Sequence, residues 1–270
     1  AGFGLFAPAT VRNNRVSGVV GNDAPVGFFF GTPEVAVGSE IEGNTVDGVA
    51  FSVFHDTTGL VSSFELLHGS LCLMSNLGGV LVLNPRGLVL DHARVEVVSG
   101  TAIGVVGGEL TIQDSTLAAG TGAAAVLGTE TAAGLQISVT RSNVTGGVAV
   151  AGTTATLAVH GSRVRGVVSA TGAAATLEVD GTRFETCSPC VSAGPLLSFL
   201  STNNVIEGLS GSDVRGYSLS GATTISIAND VFRGFNGTGC VRPIYITGSS
   251  VGSIANVSIA PGEFSSGAGT

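Results

Sequence analysis

Glu178 and Asp180 stand two residues apart in Thr176-Leu177-Glu178-Val179-Asp180-Gly181-Thr182-Arg183-Phe184. In an extended strand that spacing puts both carboxylates on one face. Two carboxyl groups facing one groove are what acid–base cleavage of a glycosidic bond requires. Residues 156–164, Thr-Leu-Ala-Val-His-Gly-Ser-Arg-Val, say nearly the same thing twenty positions earlier. The offset sets His160 against Asp180 and Arg163 against Arg183. His160, Arg163, Glu178, Asp180 and Arg183 are therefore the best catalytic or ligand-binding candidates in the chain. The plainer reading is a solvated face of mixed charges, each pair worth well under ~1 kcal/mol. That reading is preferred, because only one repeat supplies acids and stacking aromatics are scarce. There is no Trp, and Tyr217 and Tyr245 are the two tyrosines. We expect no catalytic site.

The remaining reactive residues suggest structure more than chemistry. His55, His68, His92 and His160 are widely spaced and no acid-rich loop resembles a calcium site, so neither metal nor cofactor is expected. Cys187-Ser188-Pro189-Cys190 has the spacing of a redox motif or half a zinc site. A redox thiol needs a helix behind it and a zinc site needs a second pair; neither is visible. A local Cys187–Cys190 disulfide is the expectation, with Cys72 and Cys240 left alone. Sequons begin at Asn143, Asn236 and Asn256, each presentable to a glycosyltransferase if the chain is secreted by a eukaryote.

The elements that position these groups come from the repeat. The motif is apolar-x-apolar, a short polar stretch, then one apolar anchor. The anchors are Val16, Val46, Val95, Leu117, Val144, Val164, Phe184, Ile206 and Phe232, with a weak one near Leu73 or Leu77. A period of 20–30 residues indicates a solenoid. Leu157 and Val159 point inward while Ala158 and His160 point outward, and Leu177, Val179, Glu178 and Asp180 repeat this. Such alternation is that of strands, and no stretch sustains a helical period. We expect an all-β parallel β-helix of about ten coils, one domain over residues 1–264 with a linker-like tail at 265–270. The 42 glycines are expected at turns that need φ > 0. Alanines 123–125 and 173–175 should let coils approach closely.

Composition excludes other classes. Only 11% of residues are charged, yet no apolar run approaches the ~18 residues of a spanning helix; membrane insertion is not expected. Net charge is −8 and all 11 basic residues are arginine, so no basic stripe suggests nucleic acid.

The coil pattern at residues 11–18, 41–48, 157–166, 177–184 and 225–234 resembles the right-handed parallel β-helix proteins of the pectin lyase-like superfamily. The likeness covers about residues 8–260. It implies the fold, and a choice among polysaccharide lyases and hydrolases, tailspikes, adhesins and surface filaments, which fold alone does not make. Without an evident active site, an extracellular or cell-surface structural or adhesive rod is the leading expectation, such as a filament or appendage glycoprotein. A carbohydrate-active enzyme or a viral fibre segment is the alternative. Residues 1–7 are apolar and residues 254–259 still read as coil, so neither end looks capped. Expected partners are copies of the protein, or further segments of it, end to end, and carbohydrate.

Overall fold

The computed structural model describes residues 3–5, 9–17, 26–30, 40–49, 51–55, 61–69, 77–132, 134–248 and 251–260. The tail expected at 265–270, Cys72, and much of the apolar start lie outside the described residues. The chain is an all-β, right-handed parallel β-helix solenoid. It makes about eight turns, fewer than the ten expected. No helix of the described residues is long and apolar enough to cross a membrane.

A typical turn gives one strand to the first sheet and two consecutive strands, joined at a corner, to the second. The chain divides into two compact units, Ala1–Gly146 and Gly147–Thr270. In the first, strands such as Arg86–Asp91 and Arg94–Val97 flank a corner, while Glu40–Val49 runs through it unbroken. In the second, Thr156–His160 with Arg163–Arg165 and Thr176–Asp180 with Arg183–Glu185 repeat one geometry.

The anchors stack in register. In the first unit Val16 lies opposite Val46, Val46 opposite Leu67, Leu67 opposite Val95, Val95 opposite Leu117 and Leu117 opposite Val144. The weak anchor is thus Leu67, not Leu73 or Leu77. Its strand, Val61–Gly69, is continuous and lacks the polar corner that marks the other repeats. Leu77 belongs to the other sheet. In the second unit Val164, Phe184, Ile206, Phe232 and Ile259 follow one another. Val95, Leu117, Val144, Val164, Phe184, Ile206 and Phe232 are wholly buried. Full burial of each such side chain contributes about 1.5–3 kcal/mol. Leu157 with Leu177, and Val159 with Val179, form two further buried columns, as their alternation requires.

The corner explains why the strands break where they do. Its first residue is left-handed: Gly43, Gly161 and Gly181, but also Asn13, His92, Asp114, Arg141, Asn203, Asn229 and Asn256, with φ from 46° to 59°. Glycine was expected at such turns; asparagine and aspartate share the task because they tolerate this region best among side-chain-bearing residues. The next residue turns inward. Asn44, Ser115, Ser142, Ser162, Thr182, Asn204 and Asp230 are buried there. Most of these side-chain oxygens accept the backbone N–H of the inward corner residue one turn earlier. The distances are 3.1 Å for Asn14 to Asn44, 3.0 Å for Ala93 to Ser115, 3.1 Å for Ser115 to Ser142, 2.8 Å for Thr182 to Asn204 and 2.7 Å for Asn204 to Asp230.

Candidate functional site

The five candidate residues divide among three outward columns in the second unit, two before the corner and one after it. His160 and Asp180 are register partners at the ends of Thr156–His160 and Thr176–Asp180. The Asp180 carboxylate accepts Thr202 Oγ1 at 2.6 Å and Asn203 Nδ2 at 3.0 Å. Those bonds, Thr202 first, hold its carboxyl below the ordinary range against the opposing effect of burial. Glu178 is exposed, and its register neighbours are Ala158 and Leu200. Arg163 and Arg183 do lie opposite one another, but they reach past the predicted acids.

Their partners are Glu185 and Glu207, which the sequence reading did not single out. Glu185 accepts Arg163 at 2.8 Å, Arg165 at 3.2 Å and Arg183 at 3.0 Å. Glu207 pairs with Arg183 and, at 2.8 Å, with Arg233. The Arg163 hydrogen bond is the main cause that lowers the Glu185 carboxyl, with Arg165 adding to it and desolvation opposing. The signal was present in the sequence: Arg165, Glu185, Glu207 and Arg233 each follow an anchor by one residue, so they form one outward column. Aligning the repeats on their anchors exposes it; searching for acids two apart does not.

An open groove of about 500 Å³ runs beside this column, lined by Glu185, Glu207, Arg233, Gly208 and Gly234. Glu185 and Glu207 are on consecutive turns, about 4.8 Å apart along the backbone. That approaches the ~5–5.5 Å of retaining glycosidases. The electrostatics run the other way. A general acid must hold its proton near neutral pH, which calls for a raised pKa, and the arginines push Glu185 down.

Asp91, His92 and Asp114, in the first unit, bring potential metal-ligand atoms within 4.8 Å of one another. His92 Nδ1 is 2.7 Å from Asp91. Arg141 forks onto Asp114 through Nε at 2.8 Å and a terminal nitrogen at 2.6 Å. A guanidinium seated on one of the three ligands opposes a cation there, and the group works as a charge ladder. A second groove, of about 770 Å³, brings together the register partners Arg86 and Glu109.

Cys187 and Cys190 are disulfide-bonded, and Cys240 is an exposed free thiol. Asn236 is exposed at the start of its strand. Asn143 is half-buried, with a buried Oδ1 that lacks a hydrogen-bond partner. Asn256 is exposed but donates Nδ2 to Asn229 Oδ1 at 3.3 Å. Neither tyrosine forms an open stacking platform. Tyr217 is buried, edge-on to Phe199 and Phe232. Tyr245 lies under Arg215 and Arg242, 4.5 and 5.1 Å from its ring centre.

Comparison of the chain with protein-family models, curated proteins and solved structures finds no match.

Proposed function

We propose that this β-solenoid scaffold is an extracellular, non-catalytic structural or adhesive module, a filament or appendage subunit of the broad kind found among pectin lyase-like proteins. One observation carries the reading: Glu185 and Glu207, the best-placed acid pair, are bonded by Arg163, Arg165, Arg183 and Arg233. Carboxylates committed to a ladder along the fold axis tie turns together and do not offer a proton to a substrate. The Cys187–Cys190 bridge supports an oxidising compartment, where such bonds persist. Asn236, exposed in its sequon, is the glycan site the geometry favours over Asn143 and Asn256. Carbohydrate is a partner of the outer face rather than a substrate.

A second reading, a carbohydrate-active enzyme, is favoured by the spacing of Glu185 and Glu207 along the groove. The test is release of reducing ends or unsaturated products from neutral and acidic polysaccharides by the wild type, by Glu185→Gln, by Glu207→Gln and by Glu178→Gln/Asp180→Asn. We expect no turnover in any. Cleavage by the wild type that drops about a thousandfold in one of the variants, the scale of losing a general acid or base, would overturn the scaffold reading.

A further inference from the structure

Arg86 and Glu109 break the pattern of the charges around them. They are register partners on consecutive turns, about 4.8 Å apart along the backbone, and both are exposed. Arg12 and Glu42 stand in the same relation, and there the guanidinium meets the carboxylate at 3.5 Å. Arg141 reaches Asp114, and Arg163 reaches Glu185, across one turn. Among the described residues the side chains of Arg86 and Glu109 have no ion-pair or hydrogen-bond partner.

The strand explains the difference. The register shifts between Glu109 and Leu110, so that Gly87 stands opposite no residue of Gly108–Gln113. Gly87 is left-handed, with φ 75°. A bulge of this kind bends its strand and re-aims the side chain beside it, here Arg86. On its other side Glu109 faces Gln136 in unbroken register. The two charges are thus delivered to one groove of about 770 Å³ and not to each other. The rim of that groove is built for the purpose by Thr131, whose Oγ1 donates to Asn84 Oδ1 at 3.5 Å. A Cβ on Gly107 would meet that hydroxyl; glycine leaves it room and adopts the local φ of 65° freely. Pro85 and Gly108 also line the groove and are themselves buried.

We propose that this groove binds a small zwitterion, its carboxylate on Arg86 and its ammonium on Glu109. A guanidinium only donates and an ionised carboxylate only accepts, and the pair carries no net charge. An anion would gain Arg86 and be repelled by Glu109; a cation would meet the reverse. A neutral polyol would make hydrogen bonds and leave both charges unopposed. A ligand with both charges completes, across the groove, the pairing that Arg12 and Glu42 make directly. The two ends of a short peptide match the ~4.8 Å step between the turns. The groove has the capacity for it, since small-molecule sites run about 300–1,000 Å³. Both charges are exposed, so each contact is screened and binding is weak. This inference goes beyond the scaffold reading and does not depend on it.

The test is an NMR titration of the full chain with dialanine, N-acetyl-dialanine, dialanine amide and maltose. We expect saturable shifts of the Arg86 and Glu109 resonances with dialanine. Each blocked peptide should bind about two- to fivefold more weakly, the scale of one exposed ion pair. Arg86→Gln and Glu109→Gln should weaken dialanine binding by a similar factor and together abolish the shifts. Both side chains are exposed, so the variants should keep the β circular dichroism signal. Added salt should weaken binding of dialanine. Absence of saturable shifts, equal affinity for blocked and free peptides, or dialanine binding unchanged in both single variants would overturn the proposal. So would tighter binding of maltose, which would make the groove a polyol site. None of these outcomes touches the scaffold reading, which the polysaccharide-cleavage assay decides separately.

Discussion

Asp230 is a wholly buried carboxyl group. A buried charge or polar group is tolerated only when its bonds are made. Here Oδ1 accepts the Asn204 N–H at 2.7 Å and Asn204 Nδ2 at 3.1 Å. Oδ2 accepts Ser201 Oγ at 2.5 Å and the Tyr217 hydroxyl at 2.9 Å. Tyr217→Phe keeps the ring packing against Phe199 and Phe232 and removes one donor. It should destabilise the protein by about 1–3 kcal/mol, the penalty for an unmade bond to a buried polar group, measured by urea unfolding. Burial, with the Asp230 charge second, raises the Tyr217 hydroxyl well above the ordinary tyrosine range. Its folded-state pKa exceeds the unfolded one, so its contribution is whole below about pH 10 and fades as pH climbs beyond that. Tyrosinate absorbance from Tyr217 should therefore appear together with loss of β-structure and not before it. None of this was legible in the sequence. Ser201, Tyr217 and Asp230 belong to different strands or corners, and nothing in their spacing marks them as neighbours.

At the scale of the corner, the left-handed residue determines whether two strands can follow one another without breaking the ladder. Asn229 has φ 58° and links Asn203 to Asn256. A β-branched side chain is poorly suited to that conformation, whereas glycine adopts it freely. Asn229→Val should cost about 1–3 kcal/mol, the range for a residue held in a sparsely populated region. Asn229→Gly should cost much less, retaining the turn while losing the amide ladder. Thermal unfolding of the two variants side by side separates conformational strain from hydrogen bonding; equal losses would contradict the account. The corners were partly legible: the polar break between apolar packets located them. Which of the two corner residues faced inward was not, because Asn13-Asn14 or Asn203-Asn204 gives no hint of orientation until the neighbouring turn supplies a donor.

For the whole protein, four carboxylates are held below their ordinary range by the partners they bond. Asp114 is lowered by Arg141, Asp180 by Thr202 and Asn203, Glu185 chiefly by Arg163, and Asp213 chiefly by Arg215. For each, the folded-state pKa lies below the unfolded one, so its stabilisation is present above about pH 4 and lost as pH falls through the folded value. Midpoints of urea unfolding should therefore be flat near neutrality and decline below about pH 4. Glu185→Gln should reduce that decline, whereas an acid limb unchanged by it would deny Glu185 a part. The sequence by itself determined the class of fold, the register of most anchors, and the inward and outward alternation at residues 156–184. These follow from local periodicity, which strand geometry converts directly into faces. It also brought His160 beside Asp180 and Arg163 beside Arg183. Only the tertiary structure decided the partners of those charges. An arginine side chain spans a whole turn, so Arg163 bonds Glu185, 22 positions away, and leaves Glu178 to solvent. It likewise decided that Ile254 and Ile259 stay exposed, because burial in a solenoid depends on the next turn and not on the residue's own strand.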